Sequence, residues 1–149
     1  AAGFTIRNEN IEALGERLLE IAADQLEGRD LTPALEIDAE PSLADLTEAL
    51  AHQLRRLEPT GEGNPRPVLA TRNLRVATHR RFGRESNHLA FTVHDGEQYR
   101  EAVAFRQGDL ADDMPARVDV AYHLGIREWN GRRNVRLNVC DIQPAEESL

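Results

Sequence analysis

Between residues 59 and 67 the chain reads Pro59-Thr60-Gly61-Glu62-Gly63-Asn64-Pro65-Arg66-Pro67, three prolines and two glycines in nine residues. Proline fixes φ and has no N–H to donate, so this stretch neither continues a helix nor sits inside a central strand. A domain boundary or crossover falls here. The apolar period also changes across it, from helical upstream to two downstream, so an α part must precede a β part.

Upstream, Ile11, Leu14, Leu18, Ile21, Ala22 and Leu26 recur at helical spacing from Asn8, and Gly28 offers a C-cap, which predicts an amphipathic helix over 8–27. Leu35, Ile37 and Ala39 alternate with acids and predict a short lead-in strand over 35–40. Ser42 and Asp45 stand at N-cap and N3 of a connector helix over 42–58, whose stripe is Leu43, Leu46, Leu50, Leu54 and Leu57. Both stripes read as faces packed on a core.

Downstream, period-two alternation predicts strands over 68–79, 88–94, 99–106, 117–125 and 134–142. Asp95-Gly96 signals a two-residue hairpin between the second and third, and Asn130-Gly131 another between the fourth and fifth. Asp109 to Met114 leaves room for one short helix between the third and fourth. Several small barrels have five strands, but the lone helix in that place favours the OB-fold. The expected architecture is therefore α+β: a five-stranded OB-fold β-barrel over 66–142, preceded by two amphipathic helices and a short strand.

Charge divides at the same boundary. Residues 1–58 hold 13 acids against 5 arginines, whereas residues 59–149 hold 13 of each. Within the neutral part, 66–84 carries six arginines and no acid, and 127–136 carries Arg127, Arg132, Arg133 and Arg136 against Glu128 alone. All 18 basic residues are arginine, which suits bidentate phosphate contact, although a coding bias toward arginine accounts for it equally well. A lone cysteine, Cys140, excludes a disulfide framework and suits a reducing, cytosolic setting. The longest apolar runs fall far short of the ~20 residues a membrane span needs, and the start Ala1-Ala2-Gly3-Phe4, with neither Met nor a basic leader, reads as a piece of a longer chain.

The two basic stretches map to the loops joining strands one to two and four to five, which flank the nucleic-acid face of OB barrels. The first, His79 to His88, carries Arg80, Arg81, Phe82, Arg84 and His88; the second, Arg127 to Asn134, carries Trp129, Arg132 and Arg133, with Arg136 just beyond. Guanidiniums for phosphates and flat rings for unstacked bases are what a single strand requires, and each stacked base contributes ~1–3 kcal/mol. Trp129 can alternatively fold back over the barrel mouth. Strand two would present His88, Ala90 and Thr92 outward, a small polar face of modest affinity. Catalytic constellations are absent: the five histidines are scattered, one cysteine makes no zinc site, and Asp109, Asp112 and Asp113 read as a solvated face.

The segment Leu57 to Val68 resembles a signature of the C-terminal region of RecJ, the bacterial single-strand-specific DNA exonuclease family, with Thr60 where an aromatic is usual. Ala1 to Ile6 resembles the end of the family's DHHA1 motif, and Asn87-His88-Leu89 and Gly125 to Gly131 agree in order. The resemblance implies that residues 1–30 are the C-terminal edge of a DHHA1-type domain and 31–149 the OB domain. It also implies a bacterial, cytoplasmic parent enzyme of DNA repair and recombination that degrades single-stranded DNA 5′ to 3′ with Mn2+ or Mg2+, whose ligands are not in this chain. This part alone is then expected to be inactive, to hold no cofactor and to bind single-stranded DNA through Arg80, Arg81, Phe82, Arg84, His88, Arg127, Trp129, Arg132, Arg133 and Arg136. Two other readings stand beside it: a protein-interaction module that recruits the nuclease to a single-strand-binding protein or a helicase, and a structural clamp between barrel and catalytic core.

Overall fold

The computed structural model describes residues 3–145; Ala1 and Ala2 of the motif remnant and the chain end at Leu149 lie outside the described residues. The chain forms two compact units, Ala1–Leu35 and Glu36–Leu149.

In the first unit a 3-10 turn, Asn8–Asn10, leads into helix α1, Ile11–Leu26. Its apolar stripe forms as the spacing predicts, but no residue of α1 is buried, and Ile11, Leu18, Ile21 and Leu26 are exposed. Within its own unit the stripe meets no covering surface: amphipathic spacing specifies a helix and not the surface that covers it.

The second unit is a closed barrel with strand order β1-β2-β3-β5-β4. Its strands are β1 (Leu69–Phe82), β2 (His88–His94), β3 (Tyr99–Ala104), β4 (Arg117–Trp129) and β5 (Arg132–Pro144), with a 3-10 turn at Gly108–Ala111 between β3 and β4. β1 serves both edges, pairing with β4 over Leu69–Arg75 and with β2 over Arg75–Phe82, and it changes direction at two register shifts. At one of these Asn73 adopts φ 55°, and its N–H donates to Asp119 Oδ1 at 2.7 Å. A short parallel contact, Glu101–Val103 of β3 against Arg136–Asn138 of β5, closes the barrel. Five strands, their order along the chain and the lone helical turn agree with the α+β OB-fold expected from the sequence.

Inward positions alternate as a half-buried sheet requires: Leu89, Phe91 and Val93 of β2, Val118, Val120, Tyr122 and Leu124 of β4, and Leu137 of β5 form the core. Leu43, Leu46 and Ala51 join the same core. Burying each leucine contributes about 1.5–3 kcal/mol.

Three elements differ from the sequence expectation. The lead-in strand over 35–40 is reduced to one parallel bridge, Ala39 with Leu69. Extending that ladder would set Ile37 opposite Pro67 and Pro41 opposite Thr71, and each proline lacks the N–H a further rung needs. Instead Asp38 Oδ2 accepts the Val68 N–H at 2.8 Å, and the Thr71 hydroxyl donates to the Pro41 carbonyl at 2.9 Å. The connector helix over 42–58 divides into a 3-10 turn, Leu43–Asp45, and helix α2, Glu48–Arg55. Ser42 and Asp45 do cap the first piece, since the Asp45 carboxylate accepts the Ser42 N–H at 3.0 Å. Thr47 then starts a second helix, its hydroxyl accepting the Leu50 N–H at 3.2 Å. Finally, the β2–β3 connection is a four-residue loop, Asp95 to Gln98, because the Asp95 carboxylate accepts the Glu97 and Gln98 N–H groups at 3.0 and 2.8 Å. Those bonds also hold the Asp95 carboxyl below the usual carboxylate range.

The Pro/Gly crossover is pinned by its own side chain. Asn64 donates to the carbonyls of Leu57 and Pro59 at 3.0 and 2.9 Å, while its backbone pairs with that of Gly61. Thr60 sits on a small crevice whose lining mixes Leu54, Pro67 and Leu124 with Arg55, Glu58 and Arg66.

Candidate nucleic-acid interface

Strand parity builds one outer face. Pairing sets Thr78 beside Thr92, Arg80 beside Ala90 and Phe82 beside His88 across β1 and β2. Across β2 and β3 it sets Thr92 beside Glu101 and Ala90 beside Val103, and across β3 and β5 Glu101 beside Arg136. On β2, β3 and β5 these side chains alternate with core residues, and the β1 residues are paired with them, so all share the side away from the core. All of them but His88 line an open groove of about 310 Å³ with Phe105 and Arg127.

The groove has a cationic wall and an aromatic end. Arg80, Arg127 and Arg136 supply three guanidiniums against one carboxylate, Glu101, which holds Arg127 at 3.0 Å. Phe82, His88 and Phe105 form a trio with ring centroids 5.2 to 6.3 Å apart. Its geometry is set locally. Arg106, at φ 60°, turns its N–H onto His88 Nδ1 at 3.0 Å, so that nitrogen accepts and Nε2 carries the proton of the neutral ring. Gly83 has φ 93°, and a Cβ there would lie 2.9 Å from the His88 ring. Gly108 is equally constrained: a Cβ would stand 2.5 Å from the Ser86 carbonyl, so only glycine lets the 3-10 turn press on the β1–β2 loop.

The two basic stretches thus meet, but not as loops. β1 runs to Phe82, β4 to Trp129, and β5 starts at Arg132, so the loops proper are 83–87 and the two-residue turn Asn130-Gly131. Most of the arginines assigned to loops lie on strand ends. Of the ten residues singled out from the sequence, Arg80, Phe82, Arg127 and Arg136 line the groove, and His88 stands in its aromatic trio. Trp129 is exposed at the hairpin tip, with the Arg127 guanidinium 5.7 Å from its ring. It does not fold back over the barrel mouth.

Arg81 has the opposite parity; it donates to the Gly108 carbonyl at 3.0 Å and pairs with Asp112, so it braces the β1–β2 loop. Arg133 pairs with Glu128 at 3.3 Å and lines a second groove, while Arg84 and Arg132 are exposed. Sequence reasoning missed Phe105, Val103 and Glu101; their shared parity on strand three was the available signal. Among the described residues no group of three His, Cys, Asp or Glu is arranged to hold a metal ion, and no helix is long and apolar enough to cross a membrane.

Comparison with known proteins gives a consistent picture. A family model described as the RecJ OB domain matches residues 37–141. The single-stranded-DNA-specific exonuclease RecJ of Thermus thermophilus is 32% identical over 98% of this chain and 20% of its own length. The Bacillus subtilis protein of the same name is 28% identical over 100% of this chain and 19% of its own. The crystal structure of Thermus thermophilus RecJ in complex with Mn2+ superposes with a TM-score of 0.73 at 29% identity, covering 97% of this chain and 20% of that one. The chain therefore spans about a fifth of the relatives it matches.

Proposed function

Because the chain belongs to the RecJ OB domain family, we propose that its barrel is the single-stranded-DNA-binding module of a single-strand-specific exonuclease of the bacterial cytoplasm. Hydrolysis, its divalent metals and its 5′ to 3′ polarity belong to residues outside this chain. Within the repair and recombination reactions of such an enzyme, the barrel confines one strand.

The observation that carries this reading is the groove. Arg80 from one basic stretch and Arg127 and Arg136 from the other converge on it, beside the trio of Phe82, His88 and Phe105. Its floor of Ala90, Thr92 and Val103 is shallow and uncharged, so bases can lie flat while guanidiniums hold the phosphates. Phosphate contacts position a strand without reading sequence, so little base preference is expected.

The test is fluorescence anisotropy of the chain with a labelled single-stranded oligonucleotide, against duplex, across a salt series. Three guanidiniums predict a log–log salt slope of about −2, at ~0.7 per phosphate neutralised, and Arg80→Ala with Arg136→Ala should flatten it by about 1.4. Arg17→Ala, on exposed α1, serves as the control. Absence of binding at low salt, or binding indifferent to Arg80 and Arg136, overturns the reading.

A further inference from the structure

The groove ends at Glu101, but the outer face does not. Continuing the same parity, His94 of β2 and Tyr99 of β3 are directly paired, and their rings stack with centroids 4.8 Å apart at 16°. Tyr99 is 57% exposed. It lines a second open groove of about 360 Å³ with Arg100, Arg133 and the carboxylates of Glu48 and Glu101, and Glu101 also lines the first groove, so the two adjoin at that residue. His94 Nδ1 is buried with no hydrogen-bond partner, so the imidazole is oriented by the ring stack and by the sheet beneath it.

We propose that the His94–Tyr99 stack is a second base-stacking platform, and that a single DNA strand crosses the β2–β3 face from the Phe82–His88–Phe105 trio to Tyr99, with Arg133 receiving a phosphate in the second groove. This rests on the single-strand reading above and extends it to residues which that reading leaves unused. The spacing suits it: His88 and His94 are six residues apart along β2, which at ~3.3 Å per residue is about 20 Å. At the ~3.4 Å spacing of a stacked strand that is about six nucleotides, and fewer if the strand is extended, within the ~4–16 typical of one OB fold. Tyr99 shares its groove with Arg133, whose guanidinium a phosphate would take over from Glu128, and at the other end Arg80 lies 6.0 Å from the Phe82 ring. Between the platforms lie the small side chains of Ala90, Thr92 and Val103 and then Glu101, whose ion pair with Arg127 the strand must pass.

The experiment compares wild type, Tyr99→Ala and Tyr99→Phe with labelled oligodeoxythymidylates shorter and longer than the span. Tyr99→Ala should weaken the long oligonucleotide roughly five- to hundredfold, the loss of one stacked base, and leave the short one unchanged. Tyr99→Phe, which keeps the ring, should restore wild-type binding. A photoreactive 5-iododeoxyuridine walked along the long oligonucleotide should cross-link to Tyr99 about four to six positions from where it cross-links to Phe82 or Phe105. If wild type binds the strand but Tyr99→Ala loses equally at both lengths, or at neither, the second platform is refuted while the single-strand reading stands. If wild type binds no strand at any length, both fall. If Tyr99→Ala instead abolishes capture of an acidic peptide without affecting DNA, the second groove serves a protein ligand and the proposal is overturned.

Discussion

Tyr122 shows how one side chain ties the barrel to its lead-in segment. Its ring is fully buried, and its phenol lies 2.8 Å from Thr71 Oγ1. Thr71 spends its single proton on the Pro41 carbonyl, so Tyr122 must be the donor between them. Burial pushes the phenol from about 10 up to about 12. A folded value above the unfolded one means a contribution fully present below pH ~10 and lost as pH rises through ~12, worth about 3 kcal/mol at 1.36 kcal/mol per unit. Denaturant melts between about pH 9 and 12 should therefore show a steep alkaline loss of stability. Tyr122→Phe should remove much of that slope while costing about 1 kcal/mol at neutral pH for the lost bond; an unchanged slope would place the alkaline transition elsewhere. Glu101 is informative in the opposite sense. It occupies Arg127 at 3.0 Å inside a groove proposed to receive phosphates. Glu101→Gln should raise single-strand affinity severalfold, because the carboxylate no longer competes with phosphate for the Arg127 guanidinium. Weaker binding would instead mean that Glu101 positions Arg127 productively.

Among the elements, the β4–β5 hairpin couples turn chemistry to the site. Asn130 and Gly131 have φ 50° and 72°, the paired left-handed residues of a type I′ turn, and Trp129 and Arg132 flank them directly. Gly131→Ala should cost about 1 kcal/mol and a few degrees of Tm by calorimetry. If the tip contacts DNA, affinity should fall by more than that stability loss explains, since the turn sets where Arg127 and Arg132 project. This turn was legible in the sequence because its cause is local: two adjacent residues tolerate positive φ. The five strands were legible for the same reason, through alternation. The lead-in strand was legible only at its far end, where Pro41 stops it; on the other side the limit is Pro67, which faces Ile37 from 30 residues along the chain. The split in the connector helix was not legible: there Arg100 of β3 donates to the Leu43 and Leu46 carbonyls at 2.8 and 3.3 Å between the two pieces. The site was legible in composition but not in placement. Strands that outrun the barrel turn loop arginines into strand-end arginines, and parity then sorts Arg80 to the groove and Arg81 away from it.

At the level of the whole chain, charge and stability separate along the two units. The core cluster draws on Leu43 and residues beyond it, all within the unit Glu36–Leu149. Residues 1–35 carry seven acids and three arginines, −4 of the chain's −8, and the remainder keeps 19 acids against 15 arginines. A polyanion meeting the full chain therefore approaches a molecule twice as negative as one lacking residues 1–35. Removing them should leave the thermal midpoint within a few degrees and the single-strand affinity equal at physiological salt, where a Debye length of ~8 Å screens distant charge. At low salt the same deletion should tighten binding, because net repulsion then reaches the groove. Titrations of both lengths across the salt series decide it. A truncated chain that melts far lower, or binds more weakly at every salt, would show that residues 1–35 support the barrel or its ligand directly, and the charge argument would fail with it.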